Sequence, residues 1–395
     1  MRKIKVLRII NRFNLGGPTY NATFLTAFLD EKFETKLIGG KHEAHEGDST
    51  FILDKYNVEF EIVDELQREI NWSQDKKALK KIRQIIREFQ PDIVHTHASK
   101  SGFIGRLAAH KEKVPVIVHT FHGHVFHSYF GKVKTSLYKN VERWMAKRSD
   151  AVLMISQLQK EEIVNKFRIV TDEKAHIVPL GFDLSKFRTD QEALRSEFRE
   201  LYKIPESVVA VGIIGRLAPI KNHDLFIESA RQLALNSEQK LKFVIIGDGQ
   251  LMNQLKSRCN EIHEEVGEEL FIFTSWIKNI EFALAGLDVV ALSSLNEGTP
   301  VSLIEAQAAG VPVISTNVGG VKDILVENET GIVVEGFSIK EYVQKLQFLA
   351  ESKEIREKMS QNGWNHVREE FSYNRLCSDV AKLYNELLKK KGIEC

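Results

Sequence analysis

The chain has 395 residues, 28% of them charged and 43% hydrophobic, with a formal net charge of +1. Cys259, Cys377 and Cys395 are too few and too irregularly spaced for a disulfide framework or a zinc site. No apolar run reaches the roughly 18 residues of a membrane span, and the near-balanced charge carries no footprint of a nucleic-acid partner.

The length suggests two domains. The charge is uneven: residues 1–190 hold 32 Lys and Arg against 24 Asp and Glu, and residues 191–395 hold 23 against 30. The first half is therefore drawn to an anionic partner. Residues 1–10 read as a strand with interleaved charge, too short and too charged for a signal peptide, so a cytoplasmic location is expected. In the turn Asn14-Leu15-Gly16-Gly17-Pro18, glycine lets a ligand approach the backbone, although a structural turn explains two glycines equally well.

Strands are expected near 3–10, 34–39, 57–63, 92–97, 114–121, 150–155 and 175–180, with helices near 18–30, 74–89, 101–112, 132–148 and 157–166. Two of these helices, 76–87 and 132–148, are basic and amphipathic. A core-facing stripe with a solvated basic face accounts for the first. The second carries Tyr138 and Trp144. Its Lys132, Lys134, Lys139, Lys147 and Arg148 are expected at the surface, in contact with an anionic membrane. His95, His97, His119, His122, His124 and His127 fall within 33 residues. No cysteine or carboxylate joins them closely, so zinc is not expected, and two of the six are read as core or surface bystanders. His124, beside Gly123 at a strand end, is the first candidate to touch a ligand, and His122 is the alternative.

In the second half, strands are expected near 208–214, 241–247, 270–274, 289–294, 312–316 and 331–334, and the alternation implies parallel sheets with helices on both faces. Two such doubly wound domains leave a cleft between their facing strand ends. The strand at 208–214 ends in Gly215-Arg216, with Lys221 five residues on: a fork and a point charge that suit a diphosphate. The strand at 289–294 leads into Asn296-Glu297-Gly298-Thr299-Pro300-Val301-Ser302-Leu303-Ile304-Glu305. Thr299 is read as the N-cap and Pro300 as the first helical residue. The N–H groups of Val301, Ser302 and Leu303 would then face an anion. Glu297 and Glu305 would take hydroxyls on either side of a bound phosphate. Nowhere does an Asp-x-Asp occur to hold a metal on that phosphate.

Together these pieces resemble the retaining nucleotide-sugar glycosyltransferases of family 4. The matching residues are Gly215-Arg216 with Lys221, Gly247-Asp248-Gly249, Glu297-Gly298-Thr299-Pro300 with Glu305-Ala306, Val311-Pro312-Val313-Ile314 and Gly319-Gly320. In the first half they are the Gly16-Gly17 turn, His95-Thr96-His97 and His122-Gly123-His124. The resemblance covers nearly the whole chain. One departure is Ser275-Trp276, where the family usually has Gly, in a turn near the nucleotide base.

The resemblance implies the two-Rossmann, GT-B architecture. Residues 1–185 would form an acceptor domain, residues 186–373 a nucleotide-sugar domain, and a last helix within 374–395 would pack back on the first. It implies a metal-independent hexosyl- or N-acetylhexosaminyltransferase acting with retention and without a cofactor. The donor would be a UDP-sugar, and the acceptor a saccharide or lipid-linked saccharide in polysaccharide biosynthesis at the inner face of the cell membrane. Arg216 and Lys221 would neutralise the leaving diphosphate, Glu297 would hold the sugar, Glu305 the ribose, and Trp276 and Ile277 would lie at the base. Two other classes use the same residues. A nucleotide-sugar epimerase would draw acid and base from the histidines. A non-catalytic binding subunit is disfavoured by the intact Arg216, Lys221, Glu297 and Glu305 set.

Overall fold

A computed structural model describes residues 2–14, 17–42, 48–67, 69–122 and 132–393. The chain divides into two compact units, residues 1–182 with 371–395, and residues 183–370. In the first unit, strands β1 (Ile4–Arg12), β2 (Phe33–Gly40), β3 (Phe60–Ile62), β4 (Ile93–His97), β5 (Val116–Phe121), β6 (Ala151–Met154) and β7 (Ala175–Ile177) alternate with helices. These are α1 (Gly17–Ala27), α2 (Thr50–Lys55), α3 (Trp72–Phe89), α4 (Ser99–Lys111), α5 (Lys132–Ala146) and α6 (Gln157–Glu161). The strands pair in parallel in the order β3-β2-β1-β4-β5-β6-β7. The sequence reading placed every strand but missed α2, whose six residues are too short to show a period.

The second unit holds α7 (Gln191–Leu201), β8 (Val209–Ile214), α8 (His223–Asn236), β9 (Leu241–Ile246), α9 (Met252–Val266), β10 (Phe271–Ser275) and α10 (Ile280–Gly286). It continues through β11 (Val289–Leu292), α11 (Val301–Ala308), β12 (Val313–Thr316), β13 (Gly331–Val334), α12 (Ile339–Glu351) and α13 (Lys353–Glu370). Its sheet is also parallel, in the order β10-β9-β8-β11-β12-β13. The strand cores VAVGII and VVAL are buried throughout, as expected for strands covered on both faces. In each sheet the order reverses beside the first strand, between β1 and β4 and between β8 and β11. Ligands of open α/β sheets gather at that switch point.

The last helix, α14 (Tyr373–Lys390), begins at Ser372, whose hydroxyl accepts from the Arg375 N–H at 3.3 Å. Its buried stripe of Leu376, Val380, Leu383, Tyr384, Leu387 and Leu388 joins Ile4, Val6, Ile93, Val116 and Val118 in one core of the first unit.

Helix α3 buries Ala78, Ile82, Ile85 and Ile86. On α5, Glu142 is buried against Arg106 at 2.6 Å, which ties the helix to α4. Leu137 and Trp144 are exposed and Lys147 lies at the surface. Tyr138 is half-buried and packs against the cluster of Phe121, Ile163 and Phe167. Lys139 lies over the Phe167 ring and Arg148 over the Trp144 ring. Among the described residues no helix is long and apolar enough to cross a membrane.

Candidate active site

At the switch point of the second sheet, the loop after β8 meets the loop after β11. Leu295 N–H donates to the Ile220 carbonyl at 2.8 Å, and the Ser293 hydroxyl reaches the carbonyls of Lys221 and Asn222 at 2.9 and 3.0 Å. These bonds bring the two motifs together. Lys221 Nζ donates to Glu297 Oε1 at 2.6 Å, and the Ser294 hydroxyl donates to the same oxygen at 2.6 Å. Lys221 is therefore not a bare cation: in this state its charge is matched by Glu297. Arg216 is exposed, and its guanidinium makes no hydrogen bond or ion pair.

The backbone around Glu297 is held from beneath. Gly320 N–H donates to the Gly298 carbonyl at 3.0 Å, and Thr316 Oγ1 to the Ser294 carbonyl at 2.8 Å. Gly319 adopts φ +55°, and a side chain there would overlap the Glu297 carbonyl. Gly247 likewise leaves no room for a Cβ against the Gly215 carbonyl. Its N–H donates to the Ser275 carbonyl at 2.9 Å, so the turn bearing Trp276 and Ile277 is tied to the Gly215 strand end. Ser275 has φ +55°, the left-handed conformation that glycine adopts freely and serine does not. The departure from the family's glycine thus falls on a strained position. Trp276 beside it is exposed and Ile277 half-buried.

Helix α11 starts one residue later than expected. Pro300 flanks it, Val301 is its first residue, and no side chain caps it, so the Thr299 hydroxyl is not the N-cap. Leu303 N–H donates to the Pro300 carbonyl at 3.0 Å and is not free for an anion, which corrects the sequence reading. The N–H groups of Val301 and Ser302 have no such partner. Glu305 is half-buried, and its carboxyl makes no hydrogen bond. Burial pushes its pKa up to about 7; nearby Lys186 opposes the shift, and Glu281 adds to it. Lys186 and Glu281 pair with each other at 2.9 Å.

In the first unit, Gly17 opens α1 at an exposed position, while Gly16 and His124 lie outside the described residues. The histidines of β4 and β5 lie in the core of the first unit. His95, His97 and His119 are all fully buried. His95 Nδ1 is 2.6 Å from the Tyr384 hydroxyl, and its Nε2 is 2.7 Å from Thr120 Oγ1. Thr96 Oγ1 is 2.9 Å from His119 Nδ1. His97 stacks on His95 with centroids 4.3 Å apart, and its Nδ1 is 2.9 Å from His122 Nε2. Burial holds His95, His97 and His119 well below the usual imidazole range and His122 down to about 4. His127 lies outside the described residues. Among those described, no group of three His, Cys, Asp or Glu could hold a metal ion.

A family model for Glycosyltransferase Family 4 matches residues 16–186, and one for glycosyl transferases group 1 matches residues 195–366. The UDP-Gal:alpha-D-GlcNAc-diphosphoundecaprenol alpha-1,3-galactosyltransferase of Escherichia coli is 31% identical over 365 residues, 92% of this chain and 91% of that protein. The chain belongs to glycosyltransferase family 4. The glycosyltransferase also shares its fold with solved structures. One from Rickettsia africae has a TM-score of 0.81 at 20% identity, covering 98% of this chain and all of that one. Anabaena HepE, solved in complex with UDP, has a TM-score of 0.79 at 17% identity, covering 97% of this chain and all of that one. Both sheets therefore belong to a GT-B glycosyltransferase.

The second sheet of this glycosyltransferase brings together Gly215, Lys221, Gly247, Glu297 and Gly298, with Thr299, Pro300, Val301, Ser302 and Leu303 following directly. Sequence reasoning missed Ser294, the Lys186–Glu281 pair beside Glu305, and Tyr384 beneath His95. Ser294 stands two residues past the end of β11 and could have been found there. Tyr384 lies 289 residues from His95, with no local signal.

Proposed function

We propose that the protein transfers a hexose or N-acetylhexosamine from a UDP-sugar to a saccharide or lipid-linked saccharide, with retention and without a metal. The observation that carries this reading is the Lys221–Glu297 pair at the switch point, with the free Arg216 on the same loop and the open N–H groups of Val301 and Ser302 beyond. Donor binding draws Lys221 from Glu297 to the diphosphate. Arg216 joins it, and the two cations stabilise the charge that develops as the sugar–oxygen bond breaks. Glu297, released, accepts from sugar hydroxyls. Glu305 takes the ribose hydroxyls as the ionised carboxylate, and Trp276 and Ile277 lie along the base. His122 or His124 meets the sugar, and the Gly16-Gly17 turn lies against donor or acceptor.

In this reading residues 186–373 bind the donor, and residues 1–185 with the last helix bind the acceptor. The lipid diphosphate acceptor of the Escherichia coli relative supports a lipid-linked acceptor here. The exposed Leu137 and Trp144, with Lys147 beside them, support contact between helix α5 and an anionic membrane on the cytoplasmic side. The deciding experiment is a thermal-shift screen of UDP-, GDP- and ADP-sugars, followed by product analysis with the stabilising donor. A rise in melting temperature with UDP-sugars alone is expected. Stabilisation by GDP- or ADP-sugars instead would replace the donor assignment. A changed sugar in the absence of acceptor would indicate epimerisation.

A further inference from the structure

The buried histidines form a column with a definite sense. Arg8 is fully buried and has no carboxylate partner. It donates to Thr26 Oγ1 at 2.9 Å and, at the long end of the range, to the Tyr384 hydroxyl at 3.5 Å. A guanidinium only donates, so the Tyr384 oxygen accepts from it. The Tyr384 O–H is then left to donate to His95 Nδ1. His95 carries its proton on Nε2 and gives it to Thr120 Oγ1. His97 stacks on this fixed ring, and His122 stacks in turn on His97 with centroids 5.2 Å apart.

Between His97 Nδ1 and His122 Nε2 lies one proton, because neither ring is charged at neutral pH. Two arrangements exist. If His122 donates, His97 must carry its own proton on Nε2, which is buried with no acceptor. An orphaned buried N–H is the costlier defect, and proteins avoid it more strictly than an idle lone pair. If His97 donates, its Nε2 is only an idle lone pair. The unpartnered donor is then His122 Nδ1, which is also buried here, but it belongs to a half-buried residue just past the carboxyl end of β5, where a ligand can satisfy it, whereas His97 is fully buried within β4.

We propose that His97 is a positioning residue that donates from Nδ1 to His122 Nε2, so that His122 presents Nδ1–H as a hydrogen-bond donor to an oxygen of the transferred sugar. The C-terminal helix takes part through Tyr384, which fixes the ring beneath. The proposal rests on reading His122 as the sugar-facing histidine.

The direct test is nitrogen NMR of the histidine-labelled, full-length wild-type protein, which reads the tautomer without any substitution. A proton on Nδ1 of His122 is expected, and a proton on Nε2 overturns the proposal. Kinetics follow on two variants. His97→Leu should lower kcat at least about tenfold with donor KM changed less than about twofold. His97→Asn, whose amide nitrogen stands near the position of Nδ1, should recover most of the rate. Equal losses in both would mean that His97 only fills space, and would also overturn the proposal. His122→Ala separates the two readings. Wild-type turnover in that variant removes His122 from the sugar, whereas the tautomer measurement still decides the role of His97.

Discussion

The two sheets share a topology but place their polar groups differently. In the first, Arg8, His95, Thr96, His97, His119 and Thr120 are buried within the strands themselves. In the second, β8 and β11 are apolar along their length, and the candidate-site groups stand on loops and a helix start beyond the strand ends. Polar groups inside a sheet are held by packing and need partners on every side, so changing one disturbs the fold. Groups on strand-end loops can exchange protein partners for a ligand. The contrast predicts that polar substitutions in the first unit, those at His97 and His122 apart, act mainly on stability and those in the second mainly on turnover.

The sharpest test in the first unit is the Arg106–Glu142 pair, whose side chains are 0% and 7% exposed. Arg106→Leu strands a buried carboxylate and should cost roughly 3–5 kcal/mol. Denaturant unfolding, followed by a probe in the first unit, measures this. A loss below about 1 kcal/mol would break the contrast. In the second unit, Arg216→Ala and Lys221→Ala should each lower kcat/KM by at least about 100-fold, on the order of 3 kcal/mol, with little change in unfolding. Near-wild-type rates in both would remove the clamp assignment.

A smaller effect is expected from pH. Glu305 has its pKa raised to about 7 by burial, and only its ionised form accepts two ribose hydroxyls. Donor affinity should weaken as pH falls below about 7, approaching tenfold per unit, and Glu305→Gln should flatten that slope. The sign for stability is opposite. The folded protein holds this proton where the unfolded chain has lost it, so the contribution is full below the ordinary carboxylate pKa of 4.5 and is lost as pH rises to about 7. Donor KM that stays constant between about pH 6 and 8 would count against the ribose role.

Membrane binding should be weaker still, at roughly 1 kcal/mol for each cation near an anionic surface. The protein should sediment with anionic liposomes at low salt and leave them at high salt. Equal retention on neutral vesicles would mean that α5 is an ordinary solvated face. The smallest expected effect is none: turnover should continue in excess EDTA, and restoration by Mg²⁺ or Mn²⁺ after chelation would show that the diphosphate needs a metal.

Much of this arrangement was legible in one dimension. Runs such as Val209–Ile214 and Val289–Leu292 announce strands buried on both faces, and Gly215, Lys221, Glu297 and Glu305 stand at fixed offsets from them. Loop chemistry after a strand is local, so the second site could be read. What failed was either too fine or too distant. The start of α11 depends on whether Leu303 N–H closes onto Pro300, a matter of one residue of backbone. The partnership of Lys221 with Glu297 depends on loops 76 residues apart meeting across β8 and β11. Alternation put His95 and His97 on one face, but nothing in β4 or β5 foretells a tyrosine arriving from the last helix.

The Lys221–Glu297 contact also bears on which ligands the enzyme would ignore. Inorganic phosphate can engage Lys221 but leaves Glu297 stranded without its counter-ion. A free hexose can engage Glu297 but leaves the ammonium bare. Only a molecule carrying both a diphosphate and a hydroxylated ring replaces each half of the pair at once. Under the proposed function, the contact would then act as a two-key lock that screens out abundant metabolites bearing one key. UDP and hexose added together should therefore bind less tightly than the joined UDP-sugar by more than tethering explains, and Glu297→Gln should narrow that gap in calorimetric titration.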